Sequence, residues 1–117
     1  MDKKYDLEER TLKFSKDIIT LCKLIPKSSV SLPIINQLIR SATSIGANYR
    51  EANGASSRKD FMSKTFICKK EAKETKYWLI LLSETVDDEK LKERCKILEQ
   101  ESLEFILIFS KIVSKAF

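Results

Sequence analysis

Apolar residues recur along this chain in four stretches, each with the alternating spacing of four and three that marks one face of an α-helix. The first stretch runs from about Asp6 to Ile25, with Leu7, Thr11, Phe14, Ile18, Leu21 and Ile25 on its inner face and Leu12, Ile19 and Cys22 widening it. Pro26 followed by Lys27-Ser28-Ser29 ends it, because proline lacks the amide that a continuing helix needs. The second opens near Ser31-Leu32-Pro33, where Ser31 or Leu32 is placed as N-cap and Pro33 suits a first turn. Its face is Ile35, Leu38, Ala42, Ile45, Tyr49 and Ala52, and Asn53-Gly54 predicts a stop in the left-handed conformation.

The third stretch follows Ser57, which with Asp60 resembles a capping box. Phe61, Thr65, Cys68, Ala72, Thr75, Leu79, Leu82 and Val86 form its stripe. The fourth starts at Asp87-Asp88-Glu89, acids that favour a helix N-terminus. Its stripe is Leu91, Cys95, Leu98, Ser102, Phe105, Phe109, Ile112 and Ala116. Small residues at Ser41, Ala42, Ser44, Gly46 and Ala47 make the second helix slim and predict close approach of a neighbour. Breaks this short place successive helices antiparallel. The predicted fold is all-α, an antiparallel up-and-down four-helix bundle over residues 1–117 as a single domain.

Surplus apolar surface changes that picture. Beyond Ser102 the last helix is apolar nearly all round, with Leu103, Ile106, Leu107, Ile108 and Val113 added to its stripe and Phe117 at its end. Tyr77 and Trp78, with Ile80 and Leu81, give the third helix a second face. One stripe suffices for a bundle helix, so Tyr77, Trp78, Leu103, Ile106, Leu107, Ile108 and Val113 are the expected contacts between copies in a homo-oligomer.

Composition narrows the chemistry. The 117 residues include only two glycines and two prolines, and no histidine. Without histidine the usual general base and zinc ligand are missing. The three cysteines, Cys22, Cys68 and Cys95, are far apart and odd in number, and read as reduced core thiols. No phosphate-cradling glycine loop, nucleophile–base set or metal-ligand spacing occurs. The reading is therefore non-enzymatic, with no cofactor and no metal. Glu71-x-x-Glu74 and Glu101-x-x-Glu104 carry the one enzyme alternative, a magnesium-dependent nucleotide hydrolase, which requires both acid pairs to converge. Met1–Asp6 is followed by no apolar leader, and Phe105–Phe109 is far shorter than the about 20 residues of a membrane span. A cytoplasmic protein without a membrane partner is expected.

Charge supplies the candidate site. The net charge is +5, from 22 basic and 17 acidic residues. Segment 57–77 holds seven basic residues against three acidic ones. Lys69, Lys73 and Lys76 share one helix face with Lys70 beside it, and Arg58 and Lys59 precede them. Repeated around an oligomer, this surface is suited to tracking the phosphates of RNA, with Tyr77 and Trp78 able to stack on bases. On a lone chain the same lysines are equally a solvated helix face. On the second helix Arg40, Ser44, Asn48 and Glu51 form a polar stripe with Gln37. Its expected role is an inter-helix network with Arg40 and Glu51 or Glu74 as charged ends; the alternative is a ligand site.

Gln37-Leu38-Ile39-Arg40-Ser41-Ala42-Thr43-Ser44-Ile45-Gly46-Ala47-Asn48-Tyr49-Arg50-Glu51 resembles the Q-L-x-R-A-A-x-S-I-x-A-N-I-A-E-G core of the 23S rRNA-intervening-sequence proteins. Ser57-Arg58-Lys59-Asp60-Phe61 is similar to that family's S-K-K-E-F, and Ala72-x-Glu74 to part of its L-A-E-L-E helix. The family's usual proline is Gly46 here, and its A-E-G is Arg50-Glu51-Ala52. The resemblance implies an up-and-down bundle assembled as a ring, typically a pentamer, with no catalytic activity attached. A related family with the same fold, the accessory protein of diversity-generating retroelements, partners a reverse transcriptase and RNA. Self-association, RNA or rRNA, and a protein such as a reverse transcriptase are thus the partners to be weighed.

Overall fold

The computed structural model describes residues 3–115, with side chains from Leu7 onward. Four helices follow one another: α1 (Lys3–Leu24), α2 (Ser31–Asn53), α3 (Arg58–Ser83) and α4 (Glu89–Ser114). Ala116 and Phe117, assigned to the last helix by the sequence pattern, lie outside the described residues. Neighbouring helices run antiparallel. Between α2 and α3, Ser41 meets Thr75, Ile45 meets Cys68 and Glu51 meets Lys64, one number rising as the other falls. α3 packs extensively against α2 and α4, while α1 lies on α2 and, more lightly, on α4. No helix of the described residues is long and apolar enough to cross a membrane.

The predicted stripes form the core. Phe14, Ile18, Leu21, Leu38, Ala42, Ile45, Cys68, Ala72, Leu79, Leu82, Phe105 and Phe109 are all essentially sealed from solvent. Aromatic rings join three helices at its centre. Phe14 meets Phe105 edge-on with centroids 5.3 Å apart, Phe105 stacks on Phe109 at 6.1 Å, and Tyr49 leans on Phe109 at 5.8 Å. At the end of α4 the stripe departs from expectation: Val113 is buried and Ile112 half-buried. The buried positions there step by fours (105, 109, 113), which turns the inner face by about 40° per step.

Gly46 sits where α1 crosses α2 most closely. A Cβ there would lie 3.1 Å from Thr11 Oγ1 and 3.3 Å from Thr11 Cβ. The slim α2 face is thus occupied by α1 at this level, and Gly46 is required by contact and not by backbone conformation.

The helix ends show two corrections. α2 is not capped by its own first residues, since Val30 at the N-cap position makes no side-chain cap bond. Ser28 does that work one turn earlier: its Oγ accepts from Ser31 N at 3.0 Å and from Val30 N at 3.2 Å. Ser31 Oγ instead donates to Pro26 O at 2.7 Å and ties the turn together. The stop at Asn53-Gly54 is real, but Gly54 has φ −94° and no described glycine enters the left-handed region. The last turn simply tightens, with Gly54 N donating to Glu51 O at 3.1 Å and Ala55 N to Ala52 O at 3.1 Å. Ser57 caps α3 by accepting from Asp60 N at 3.0 Å, and Asp88 caps α4 by accepting from Lys90 N at 2.8 Å.

Candidate nucleic-acid interface

The lysine-rich part of α3 borders α4 at Lys76, which faces Glu99, and turns toward the α2/α3 seam at Lys70, which faces Glu74. Lys70 and Lys73 are exposed, and Lys69 and Lys76 are half-buried. Their spacing explains this: Lys69 and Lys76 lie three and four residues from buried Ala72 and border the stripe of Cys68, Ala72, Thr75 and Leu79, while Lys73 and Lys70 lie further round the helix. Among the described residues no ion pair engages Lys69, Lys70, Lys73 or Lys76. Two of them nevertheless face acids. Lys76 approaches Glu99 of α4, whose carboxyl is pushed upward by burial and drawn back by Lys76 and Lys96. Lys70 helps hold Glu74 charged. Lys69 stands over the Phe66 ring, 6.0 Å from its centroid. Arg58 and Lys59 are exposed in the first turn of α3, about 15 Å along the helix from Lys69. The six candidate residues therefore form two groups.

The polar stripe of α2 divides. Arg40 reaches across to α3, where Nη1 donates to Glu71 Oε2 at 2.9 Å and Nη2 donates to Glu74. Gln37 Oε1 accepts from Arg40 Nε at 3.2 Å, and the Trp78 indole donates to Glu74 Oε2 at 2.9 Å. The Glu74 carboxyl is held below its ordinary value, first by that indole and then by the Arg40 guanidinium. Glu51 does not join Arg40; it lies 3.7 Å from Lys64. Ser44 and Asn48 do not cross to another helix either, because Asn48 Nδ2 donates to Ser44 O and Ser44 Oγ, both at 2.9 Å, within α2.

A matching arrangement holds α1 to α4. Arg10 donates to Glu101 through Nε at 2.8 Å and Nη2 at 2.7 Å, and to Glu104 at 2.6 Å, with its guanidinium 5.2 Å from the Phe105 ring centre. Each Glu-x-x-Glu pair is thus closed by one arginine from the preceding neighbour in the bundle. The pairs occupy different seams, α2/α3 and α1/α4, and do not converge on each other. Sequence reading named Glu71 but not its burial or its bond to Arg40, and it missed Arg10, the Thr75–Ser41 hydroxyl bond of 2.9 Å and the Asn53–Glu8 bond of 2.6 Å. An arginine at the level of an acid pair on an adjacent antiparallel helix was the available signal.

Apolar exposure is the other feature of the surface. Among the described residues ten large apolar side chains stand exposed, including Leu12, Ile19, Phe66, Tyr77, Ile80 and Leu107. Of the expected inter-copy contacts, Tyr77 is 55% and Leu107 60% exposed, while Trp78, Leu103, Ile106 and Ile108 are half-buried. Val113 is 8% exposed, its side chain mostly covered by its own chain.

Comparison with known proteins accords with this geometry. The family model described as 23S rRNA-intervening sequence protein matches residues 3–104. A crystal structure at 1.70 Å of a protein of unknown function from the S23 ribosomal protein family of Bacteroides thetaiotaomicron VPI-5482 is 36% identical. The alignment covers 91% of this chain and 96% of that one, with a TM-score of 0.78. No curated protein matches the chain.

Proposed function

The chain belongs to the 23S rRNA-intervening sequence protein family, and from that premise we propose that it acts without catalysis, as a self-assembling bundle whose repeated lysine flank holds RNA. The observation that carries the reading is the apolar surface left open on one copy. It falls on two separate flanks. Leu12 and Ile19 share the α1 flank of Glu8, whose carboxylate reaches Asn53 of α2. On α2, half-buried Ile39 and exposed Ala47 lie near Gly46, which packs on Thr11 of α1. Tyr77 and Ile80 lie on the opposite side, on α3. A two-fold dimer needs one self-complementary patch. Two unlike patches on opposite flanks favour head-to-tail contacts, which close into rings when the rotation allows. A pentamer is the closed form this reading adopts.

Assembly gives the lysines their use. One chain presents four lysines on one flank, two of them shared with acids, too little positive surface for firm phosphate binding. Copies in a ring repeat the flank and bind through effective concentration as well as charge. Multi-angle light scattering on the purified protein is expected to give a multiple of the chain mass. Leu12→Asp with Ile19→Asp is expected to give the single-chain mass with helicity retained, since both side chains are exposed. Changing Lys69, Lys70, Lys73 and Lys76 to Glu is expected to keep the mass and abolish the electrophoretic shift of structured RNA. A wild-type protein that is monomeric at micromolar concentration, or an undiminished shift by the glutamate variant, overturns the proposal.

A further inference from the structure

Where α3 begins and α4 ends, an open groove of about 740 Å³ runs over Met62, Phe66, Ile67 and Val113, with Arg58 and Lys59 on its rim. The geometry points to a docking site for an acidic amphipathic helix of a partner protein. The floor is apolar and adaptable, and Phe66 is 54% exposed to solvent. Methionine and an open aromatic ring are the side chains that re-pack most readily around an incoming apolar anchor. The volume lies in the range that accepts a few anchoring side chains.

The charge around this floor has one sign. Arg58 and Lys59 are exposed, and no described acid forms an ion pair with either. Lys69 stands at the far side of Phe66. Cations on two sides of an apolar trough match a helix with acids along its flanks and apolar residues at helical spacing between them. A single-headed amphiphile would engage only one of those sides.

Neither of the chain's far turns supplies this combination, which argues against a second copy as occupant. The α3–α4 turn is acidic, with Glu84, Asp87 and Asp88, but its one large apolar residue, Val86, is 5% exposed and cannot serve as anchor. The α1–α2 turn exposes Leu24, Val30 and Leu32 but carries Lys23 and Lys27, which Arg58 and Lys59 repel. RNA is a poorer match as well, because the floor offers one ring and three aliphatic side chains where bases want stacked faces. The inference therefore goes beyond RNA binding and stands apart from it.

Fluorescence anisotropy of the full chain tests it, with an end-capped labelled peptide carrying leucines at helical spacing on one face and glutamates on the other. Saturable binding is expected, weakened about tenfold or more by Arg58→Glu with Lys59→Glu and by Phe66→Ala. These positions are exposed, so far-UV circular dichroism and the light-scattering mass should be unchanged. Equal binding of a scrambled peptide of the same composition overturns the proposal. So does equal binding by the Glu variant, or displacement of the peptide by dodecyl phosphate at equal concentration, which makes the groove a small-amphiphile site. A change of mass in the Glu variant also overturns it, making the groove a contact between copies. Lys69 belongs to both surfaces, but the peptide variants leave it intact and the RNA variant leaves Arg58, Lys59 and Phe66 intact, so the two proposals fail independently.

Discussion

Arg40 shows how single side chains hold this bundle together. Its head is half-exposed, yet one of its partners, Glu71, keeps only 9% side-chain exposure. Such a carboxylate is tolerable only while a cation answers it. Arg40→Met is expected to destabilise the fold by about 1–2 kcal/mol, below the range for a fully buried pair because solvent screens the arginine side. Urea unfolding measures this, and Arg40→Met combined with Glu71→Met should recover much of the loss. Glu74 adds a pH dependence whose sign follows from its lowered folded-state value. The native state binds this proton more weakly than the unfolded chain, so the contribution is complete above the ordinary value of 4.5 and is lost as pH falls through the lower folded value. Trp78 is the only tryptophan and donates to that same carboxylate. Its emission should change as the acid limb is crossed, while Glu74→Gln should flatten that limb in urea midpoints measured across it. The cysteines behave oppositely. Burial pushes Cys22 and Cys95 up to about 11 and Cys68 up to about 12. Reaction with a disulfide reagent near pH 8 is expected only after unfolding, at a rate set by opening of the fold.

At the scale of helices, the α1/α2 crossing is the least forgiving contact. Gly46 costs about 1 kcal/mol of helix propensity against alanine, and the backbone accepts this to let Thr11 approach. Gly46→Val restores a side chain but drives it into Thr11, which is 1% exposed and has nowhere to move. A loss of about 1–3 kcal/mol is expected, measured by thermal or urea unfolding. A neutral or stabilising outcome would mean that α1 can step away. The elements themselves were legible in the sequence because each stripe keeps helical period over some five turns or more, and caps such as Ser57 and Asp88 act over two or three residues. What stayed hidden is set across helices. No local spacing tells that Arg40 chooses Glu71 and Glu74 over Glu51, or that Arg10 bridges to residues more than ninety positions away. The cap of α2 was hidden for another reason: Ser28 works through a turn before the helix, where periodicity is silent. The α3 lysines were found, being local in sequence. Glu74, four residues beyond Lys70, was local as well, but the acid that partly neutralises Lys76 was not, because Glu99 comes from another helix.

For the molecule as a whole, charge and exposed apolar surface lead to one measurable consequence. A net charge of +5 spread over one bundle is modest, and RNA held through the Lys69–Lys76 flank of a single copy meets the four lysines there. Binding to structured or single-stranded RNA releases close to one counterion per phosphate contact. Four contacts therefore give a slope of log K against log salt of about −3 to −4. The acids facing Lys70 and Lys76 can only make it shallower. An assembly that offers the flank of several copies to one RNA must give a slope steeper than about −4. Anisotropy titrations of labelled RNA at several salt concentrations separate these cases. The slope is expected to exceed the single-copy limit for the wild-type protein. It should fall within that limit for the Leu12→Asp, Ile19→Asp variant, whose lysines are intact but whose copies no longer meet. If both proteins share the shallow slope, repetition of the flank contributes nothing, and RNA binding through an assembled surface is excluded even where an assembly exists.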